Sequence, residues 1–312
     1  KSLLISTLEA YFLGKKELFK GLAMEELEKD WTTYPVLHLD LNARKYVDAS
    51  SLNAILNQHL ESWEAIYGDE KKDRAPEERF AWLIEKACRT TGRNVVVLVD
   101  EYDKPMLQAI GNEPLLTDYR NTLKAFYGVL KSCDKYLCFA LLTGVTKFSK
   151  VSVFSDLNNL MDISLSNRFA NICGITENEL YRDLEEDIRL LAEANGMNET
   201  EARQTLKEWY DGYHFAENTE DIYNPFSLLN TLAEMKFGSY WFETGTPTYL
   251  VKLLKDNNFC LPDLTSEGVT AETLTDVESF KDNPIAVIYQ SGYLTIKEYD
   301  EEFNIYRLGF PN

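Results

Sequence analysis

The first half of the chain alternates amphipathic segments with short runs rich in Val, Leu and aromatic residues. Apolar residues recur at the spacing of a helix in the segments 2–13, 16–28, 50–67, 76–91 and 115–132. The β-forming runs between them lie at 34–41, 94–100 and 135–143. Such runs are typical of strands that are covered on both faces. Strands alternating with helices predict right-handed crossovers, and therefore an α/β fold with a parallel sheet flanked by helices.

The pattern changes after residue 172, where helical segments follow one another without buried strands between them. N-terminal capping signals predict two of these helices, over 176–196 with Thr176 paired to Glu179 and over 198–215 with Asn198 paired to Glu201. Each of the two segments is expected to form one continuous helix.

Proline near a first helical turn predicts two more helices, at 224–235 and 246–257. The closing segment, 283–312, is expected to hold a helix and a strand pair, which together resemble a small winged-helix module. The sequence therefore predicts an NTPase-like core followed by a mostly helical lid with a winged-helix-like part, with bounds 1–172 and 173–312.

The strand predicted at 94–100 ends in two adjacent carboxylates, Asp100 and Glu101. Ligands of open α/β sheets bind at the carboxyl ends of the strands. One interpretation is a Walker B strand, in which Asp100 holds Mg²⁺ through a water and Glu101 orients the attacking water. The alternative is a helix N-cap followed by a first-turn acid. Asp103 is open to the same two interpretations, as a further acid of the site or as a cap before Pro105.

A Walker B strand requires a phosphate loop, which ends in Gly-Lys-Ser or Gly-Lys-Thr at the start of a helix. The chain begins with Lys1 and Ser2, directly before an amphipathic helix. We therefore expect it to begin inside a Walker A motif, with Lys1 on the β- and γ-phosphates and Ser2 on Mg²⁺. On that expectation the strand 135–143 has one unpaired edge, and this chain alone binds ATP weakly.

Several segments, in this order, resemble the AAA-ATPase-like family of bacteria: "KSLLISTLEAYFLGKKELFKGLA", "YPVLHLDL", "VVVLVDEYDKPM", "LLTGVTKFSKVSVFSDLNNLMDIS", "ICGIT", "WYDGYHF" and "YNPFSLL". The resemblance implies a P-loop ATPase domain with ATP and Mg²⁺ as cofactors. Many members continue into a PD-(D/E)XK nuclease-like domain. Such a domain, or a second copy of the chain, is the partner that the resemblance implies.

The resemblance also implies roles for two further polar residues. Thr143 ends a predicted strand where related ATPases place a residue that senses the γ-phosphate, although a plain polar strand end explains it equally well. Arg168, in "LSNRFANICG", is the candidate arginine finger or sensor. The aromatic motifs "WYDGYHF" and "YNPF" are interpreted as packing and turn elements.

Composition narrows the classes of function. The net charge of −19 opposes nonspecific binding to nucleic acid, which requires a basic surface. No apolar run approaches the length of a membrane span. The five cysteines include no Cys-x-x-Cys pair, so neither a zinc site nor a disulfide framework is indicated. We expect a cytoplasmic bacterial protein.

Three functions compete on these observations. The first is an ATP-hydrolysing switch whose helical lid reports the nucleotide state. The second is a nucleotide-binding scaffold without hydrolysis, which would serve a nuclease-like domain. The third is a metal-dependent nuclease built on Asp100 and Glu101, but the sequence lacks the Glu-x-Lys pattern and the basic groove that this chemistry needs.

Overall fold

A computed structural model describes residues 1–147, 153–154, 157–241, 268–275 and 284–312. The chain forms two compact units, Lys1–Leu160 and Met161–Asn312. Each unit is described by itself below. The domain boundary predicted from the sequence, after residue 172, lies further along the chain than the boundary between these two units.

The first unit contains three strands and six α-helices among its described residues. The strands are β1 (Val36–Asp40), β2 (Val95–Asp100) and β3 (Leu137–Leu142). The helices are α1 (Ser2–Phe12), α2 (Ala23–Leu27), α3 (Ala49–Tyr67), α4 (Pro76–Thr91), α5 (Lys104–Gln108) and α6 (Glu113–Ser132). They alternate with the strands as the sequence pattern predicts.

The three strands form a parallel sheet in the order β1-β2-β3. The register places Asp40 beside Asp100 and Val99 beside Leu142, so the strands end at one edge of the sheet. Every residue of β2 is buried, as expected of a central strand. The prediction of a parallel sheet with 94–100 inside it is confirmed. The other edge of β3 pairs with no strand in the described part of the chain.

Helix α1 covers one face of this sheet. Its Ile5 is fully buried against Val96 and Leu98 of β2, and Phe12 stacks on Phe139 of β3 with ring centroids 5.3 Å apart. These contacts place the first residues of α1 at the carboxyl edge of the sheet.

Helices α3 and α4 are joined by a buried ion pair between Glu64 and Arg79. The guanidinium donates two hydrogen bonds to the carboxylate, at 2.7 and 2.8 Å, and a third to Asn57 at 2.5 Å. The two side chains are only 6% and 5% exposed. Nearby, Phe80 of α4 stacks on Phe126 of α6 with ring centroids 4.5 Å apart. The three helices therefore share one core.

Two predicted elements of this unit are wrong in their extent. The helix predicted over 16–28 is two pieces, a 3₁₀-helix Lys16–Phe19 and α2, because Gly21 between them adopts a positive φ of 78° that ends helical geometry. The strand predicted from residue 135 begins at Leu137, because Asp134–Tyr136 forms a 3₁₀ turn.

The second unit begins with short helices. They are α7 (Glu177–Asp183), α8 (Glu185–Ala194), α9 (Glu199–Tyr210) and α10 (Pro225–Glu234). Both predicted capping boxes are present, at the starts of α7 and α9. The segment predicted as one helix over 176–196 forms two helices, α7 and α8, because the backbone of Leu184 between them is not helical. This break allows Leu180 of α7 and Ile188 of α8 to pack in the same core.

The end of the chain holds α11 (Ala271–Thr275), α12 (Ile285–Gln290), β4 (Thr295–Asp300) and β5 (Ile305–Gly309). Strands β4 and β5 pair antiparallel, so the predicted helix and strand pair are both present. A winged-helix lid is not established by these elements. The helix predicted over 246–257 lies outside the described residues. No helix in the described ranges has the length and hydrophobicity to cross a bilayer.

Candidate functional site

Asp100 and Thr143 meet at the carboxyl edge of the sheet. Asp100 is the last residue of β2, and Thr143 directly follows β3. The Thr143 hydroxyl donates to Asp100 Oδ1 at 2.8 Å, and the Glu101 amide donates to the same oxygen at 3.1 Å. Asp100 is only 6% exposed. The two donors therefore hold a buried carboxylate in one orientation. Two residues predicted from separate motifs therefore form one arrangement.

Glu101 has an unusual backbone conformation. Its φ is +55°, in the left-handed region that residues other than glycine seldom adopt. The side chain is half-buried, and burial is the main reason that its pKa is raised. The negative charges of Asp103 and Asp100 raise the pKa further, whereas Lys1 and Lys104 lower it. A carboxylate with a raised pKa at a strand end is suited to accept a proton from water.

Asp103 does not cap the helix that follows it. It occupies the N-cap position of α5 but makes no capping hydrogen bond. Its fully buried carboxylate instead accepts hydrogen bonds from Val145 N at 3.1 Å, Thr146 N at 2.5 Å and Thr146 Oγ1 at 2.7 Å. The interpretation as a cap before Pro105 is therefore wrong, because the side chain faces the loop after β3.

Lys1 and Ser2 lie at the start of α1. The Lys1 ammonium donates to the carbonyl oxygen of Gly144 at 2.5 Å, in the loop after β3. The beginning of α1 therefore lies at the same edge as Asp100 and Thr143, as a phosphate-binding lysine requires. Ser2 is the first residue of α1, and it is exposed.

A fourth carboxylate and a second lysine also lie at this edge, and neither was predicted from the sequence. Asp40 ends β1 in register with Asp100, and its Oδ1 accepts a hydrogen bond from Asn42 N at 2.7 Å. Lys104 donates to Asn42, to the carbonyl oxygen at 3.1 Å and also to the side-chain oxygen. Asp40 lies near the end of the strand predicted over 34–41, and this was the signal that could have found it.

The residues at this edge fit Mg²⁺ and a phosphate. Asp100 Oδ2 accepts no hydrogen bond from any described residue, so it is available to a metal-bound water. Mg²⁺ is commonly held by one or two carboxylates together with substrate phosphates. The described residues contain no cluster of three or more His, Cys, Asp or Glu side chains that could hold a metal. Lys1 places a positive charge at the start of α1, on this edge.

Arg168 lies in the second unit. It belongs to a 3₁₀-helix, Asn167–Phe169, is exposed, and places its guanidinium 5.3 Å from the ring centre of Phe169. Its role as a finger or sensor stays a prediction.

Comparison with known proteins gives a family. Residues 1–154 match the family model AAA-ATPase-like, described as "Predicted AAA-ATPase". This part of the chain is therefore similar to the AAA-ATPase-like family. The match covers β1, β2 and β3 and the loops between them, and the family's description suggests nucleotide binding.

A curated relative aligns with the whole chain. It is the "Uncharacterized protein in vnfD 5'region" of Azotobacter chroococcum mcd 1, 38% identical over 315 residues. The alignment covers 100% of this chain and 58% of the relative, so the chain spans little more than half of that protein's length. No solved structure matches the chain.

Proposed function

We propose that the first unit binds Mg²⁺-ATP at the carboxyl edge of its sheet and hydrolyses it, as the core of a nucleotide-dependent switch. The observation that carries this proposal is the hydrogen bond from Thr143 to Asp100, with Glu101 adjacent. At the ends of two neighbouring parallel strands it brings together a carboxylate suited to hold Mg²⁺ and a candidate γ-phosphate sensor, with the candidate base beside them, and these are the groups that phosphoryl transfer uses. The similarity of residues 1–154 to the AAA-ATPase-like family supports the nucleotide.

Each residue of the edge then has a role. When bound, ATP would supply the phosphoryl group, and Mg²⁺ would neutralise negative charge on the phosphate oxygens. Asp100 would hold Mg²⁺ through a water, and Ser2 would be a further oxygen ligand of the metal. Glu101 would orient the attacking water and accept its proton. Lys1 would leave the Gly144 carbonyl to contact phosphate oxygens, and Thr143 would sense the γ-phosphate. Arg168, a residue of the second unit, is proposed separately as the finger or sensor.

The test introduces two substitutions separately into the full-length protein and compares each variant with the parent. Glu101→Gln keeps the shape of the side chain but cannot accept a proton, so we expect ATP affinity to be retained and turnover to fall by about 10²- to 10⁴-fold. Asp100→Asn removes charge beside the metal, so we expect Mg²⁺-dependent ATP binding to weaken. Nucleotide affinity and phosphate release measure the two effects separately.

Glu85→Gln is the matched control, because it neutralises one carboxylate of α4, away from the sheet edge. It should bind and hydrolyse ATP like the parent. If Glu101→Gln also hydrolyses ATP like the parent, the assignment of the base is wrong. A parent that binds ATP without turnover would favour the alternative of a non-hydrolysing scaffold for a nuclease-like domain.

A further inference from the structure

The turn after β2 and the loop after β3 are tied together by hydrogen bonds at several points. The Tyr102 amide donates to the Thr143 carbonyl at 2.9 Å, and the Tyr102 hydroxyl donates to the Thr146 carbonyl at 2.8 Å. Asp103 accepts the three hydrogen bonds from Val145 and Thr146 described above. The loop is therefore attached to the turn along its length and not only where Thr143 meets Asp100.

Asp103 is the centre of this attachment. Its carboxylate is completely buried, and no cation lies within ion-pair distance of it among the described residues. Burial raises the pKa of Asp103, while the hydrogen bonds from Thr146 lower it. A buried carboxylate is costly unless donors compensate it, and here three donors converge on an acceptor-only group. An amide at this position would turn its NH₂ group toward another donor.

The attachment also explains why residue 144 is a glycine. A Cβ at this position would lie 2.3 Å from Asp103 Oδ1 and 2.8 Å from Tyr102 Cδ1. The loop can approach the turn this closely only with glycine. The carbonyl of Gly144 also accepts the hydrogen bond from Lys1, so the position of the loop sets where that ammonium rests.

We propose that Asp103 is a positioning residue for ATP hydrolysis: it holds the loop 144–146 on the turn after β2, and so fixes Thr143 and Glu101 relative to one another. This inference rests on the proposed function. Asp103 does not contact the nucleotide. It acts by keeping the groups that do so at the separations seen here, because small displacements of reacting groups reduce rates strongly.

The experiment compares Asp103→Asn and Thr146→Val with the parent, in the gene product as the cell makes it. We expect Asp103→Asn to lower kcat on the order of 10- to 100-fold, with the affinity for Mg²⁺-ATP close to that of the parent. Hydrogen exchange at the amides of Val145 and Thr146 should become faster. Thr146→Val removes one of the three donors, so its effect should be smaller and in the same direction.

Two controls separate positioning from stability. Thr146→Ser keeps the hydroxyl and should restore parental kcat. Ile84→Val shortens a buried side chain of α4 and should lower the melting temperature without changing kcat. If Asp103→Asn does not fold, Thr146→Val compared with Thr146→Ser decides the question.

The outcomes also separate this inference from the proposed function. A parent that hydrolyses ATP while Asp103→Asn, or both Thr146 variants, keep parental kcat overturns the positioning role alone. Loss of kcat in Ile84→Val to the same degree would show that only stability was measured, and would overturn it too. A parent without ATP hydrolysis refutes the proposed function, and the positioning role falls with it.

Discussion

The ion pair between Glu64 and Arg79 allows a stability prediction whose size follows from its geometry. Glu64→Leu leaves the Arg79 guanidinium buried, with Asn57 as its remaining hydrogen-bond partner among the described residues. Two charge-assisted hydrogen bonds, at 2.7 and 2.8 Å, are lost. At about 1.5–3 kcal/mol each they amount to roughly 3–6 kcal/mol, and breaking a buried pair typically costs about 3–5 kcal/mol. We therefore expect the free energy of unfolding to fall by about 4 kcal/mol.

The double variant Glu64→Leu with Arg79→Met is the matched comparison. Replacing both charges with apolar groups removes the uncompensated guanidinium, so the double variant should be more stable than the single one and close to the parent. Urea unfolding followed by circular dichroism gives the free energies. Hydrogen exchange of peptides from α3 and α4 shows whether the loss lies in this unit, because the two units need not unfold together.

The result that would refute the reasoning is specific. If Glu64→Leu costs less than about 1 kcal/mol, the pair behaves like an exposed one. If the double variant is no more stable than the single variant, an unpaired buried charge is not the cause of the loss.

Three further predictions concern the site and the second unit. Gly144→Ala should destabilise the first unit by about 1–3 kcal/mol and raise exchange at Val145, because its Cβ overlaps Asp103; parental stability would contradict the contact. Glu101→Gln should have a higher melting temperature than the parent near pH 7. A carboxyl group whose pKa is raised in the folded state stabilises the fold below its pKa in the unfolded state, and this contribution is lost as pH rises through the folded-state pKa. The difference should shrink toward pH 4, and a constant difference would exclude titration as its cause. Asn198→Ala removes the cap on Glu201 N, at 3.0 Å, and should lower the free energy of unfolding in urea by about 1 kcal/mol, whereas Asn198→Ser should retain most of it.

Much of the first unit could be predicted because its pattern is local. The helix predicted over 76–91 has those bounds, and the strand predicted over 94–100 differs from β2 by one residue. Periodicity, proline and glycine fix such elements within a few residues of sequence. The break at Leu184 was missed because the segment keeps helical periodicity across it, and only the packing of α7 and α8 on one core requires the turn.

The site was predicted in part. Asp100, Glu101 and Thr143 stand at strand ends, where the sequence signal is strong, and the structure brings Asp100 and Thr143 together. The role of Asp103 could not be found in this way, because its partners Val145 and Thr146 lie 42 and 43 residues further along the chain. Propensity favours a cap at that position, and the contact across the sheet edge overrides it.

The same long separation has a consequence for how the protein is made. Because the strands pair in parallel, the helices that connect two strands must be synthesised before those strands can pair. Sheets of this kind form late in folding. Thr143 is 43 residues from Asp100. At roughly 5–20 residues per second, a ribosome takes about 2–9 seconds to synthesise that stretch. During this interval the turn after β2 exists without the loop that supplies donors to Asp103. The nascent chain must therefore keep this carboxylate in water, and this edge of the sheet is among the last parts of the unit to form.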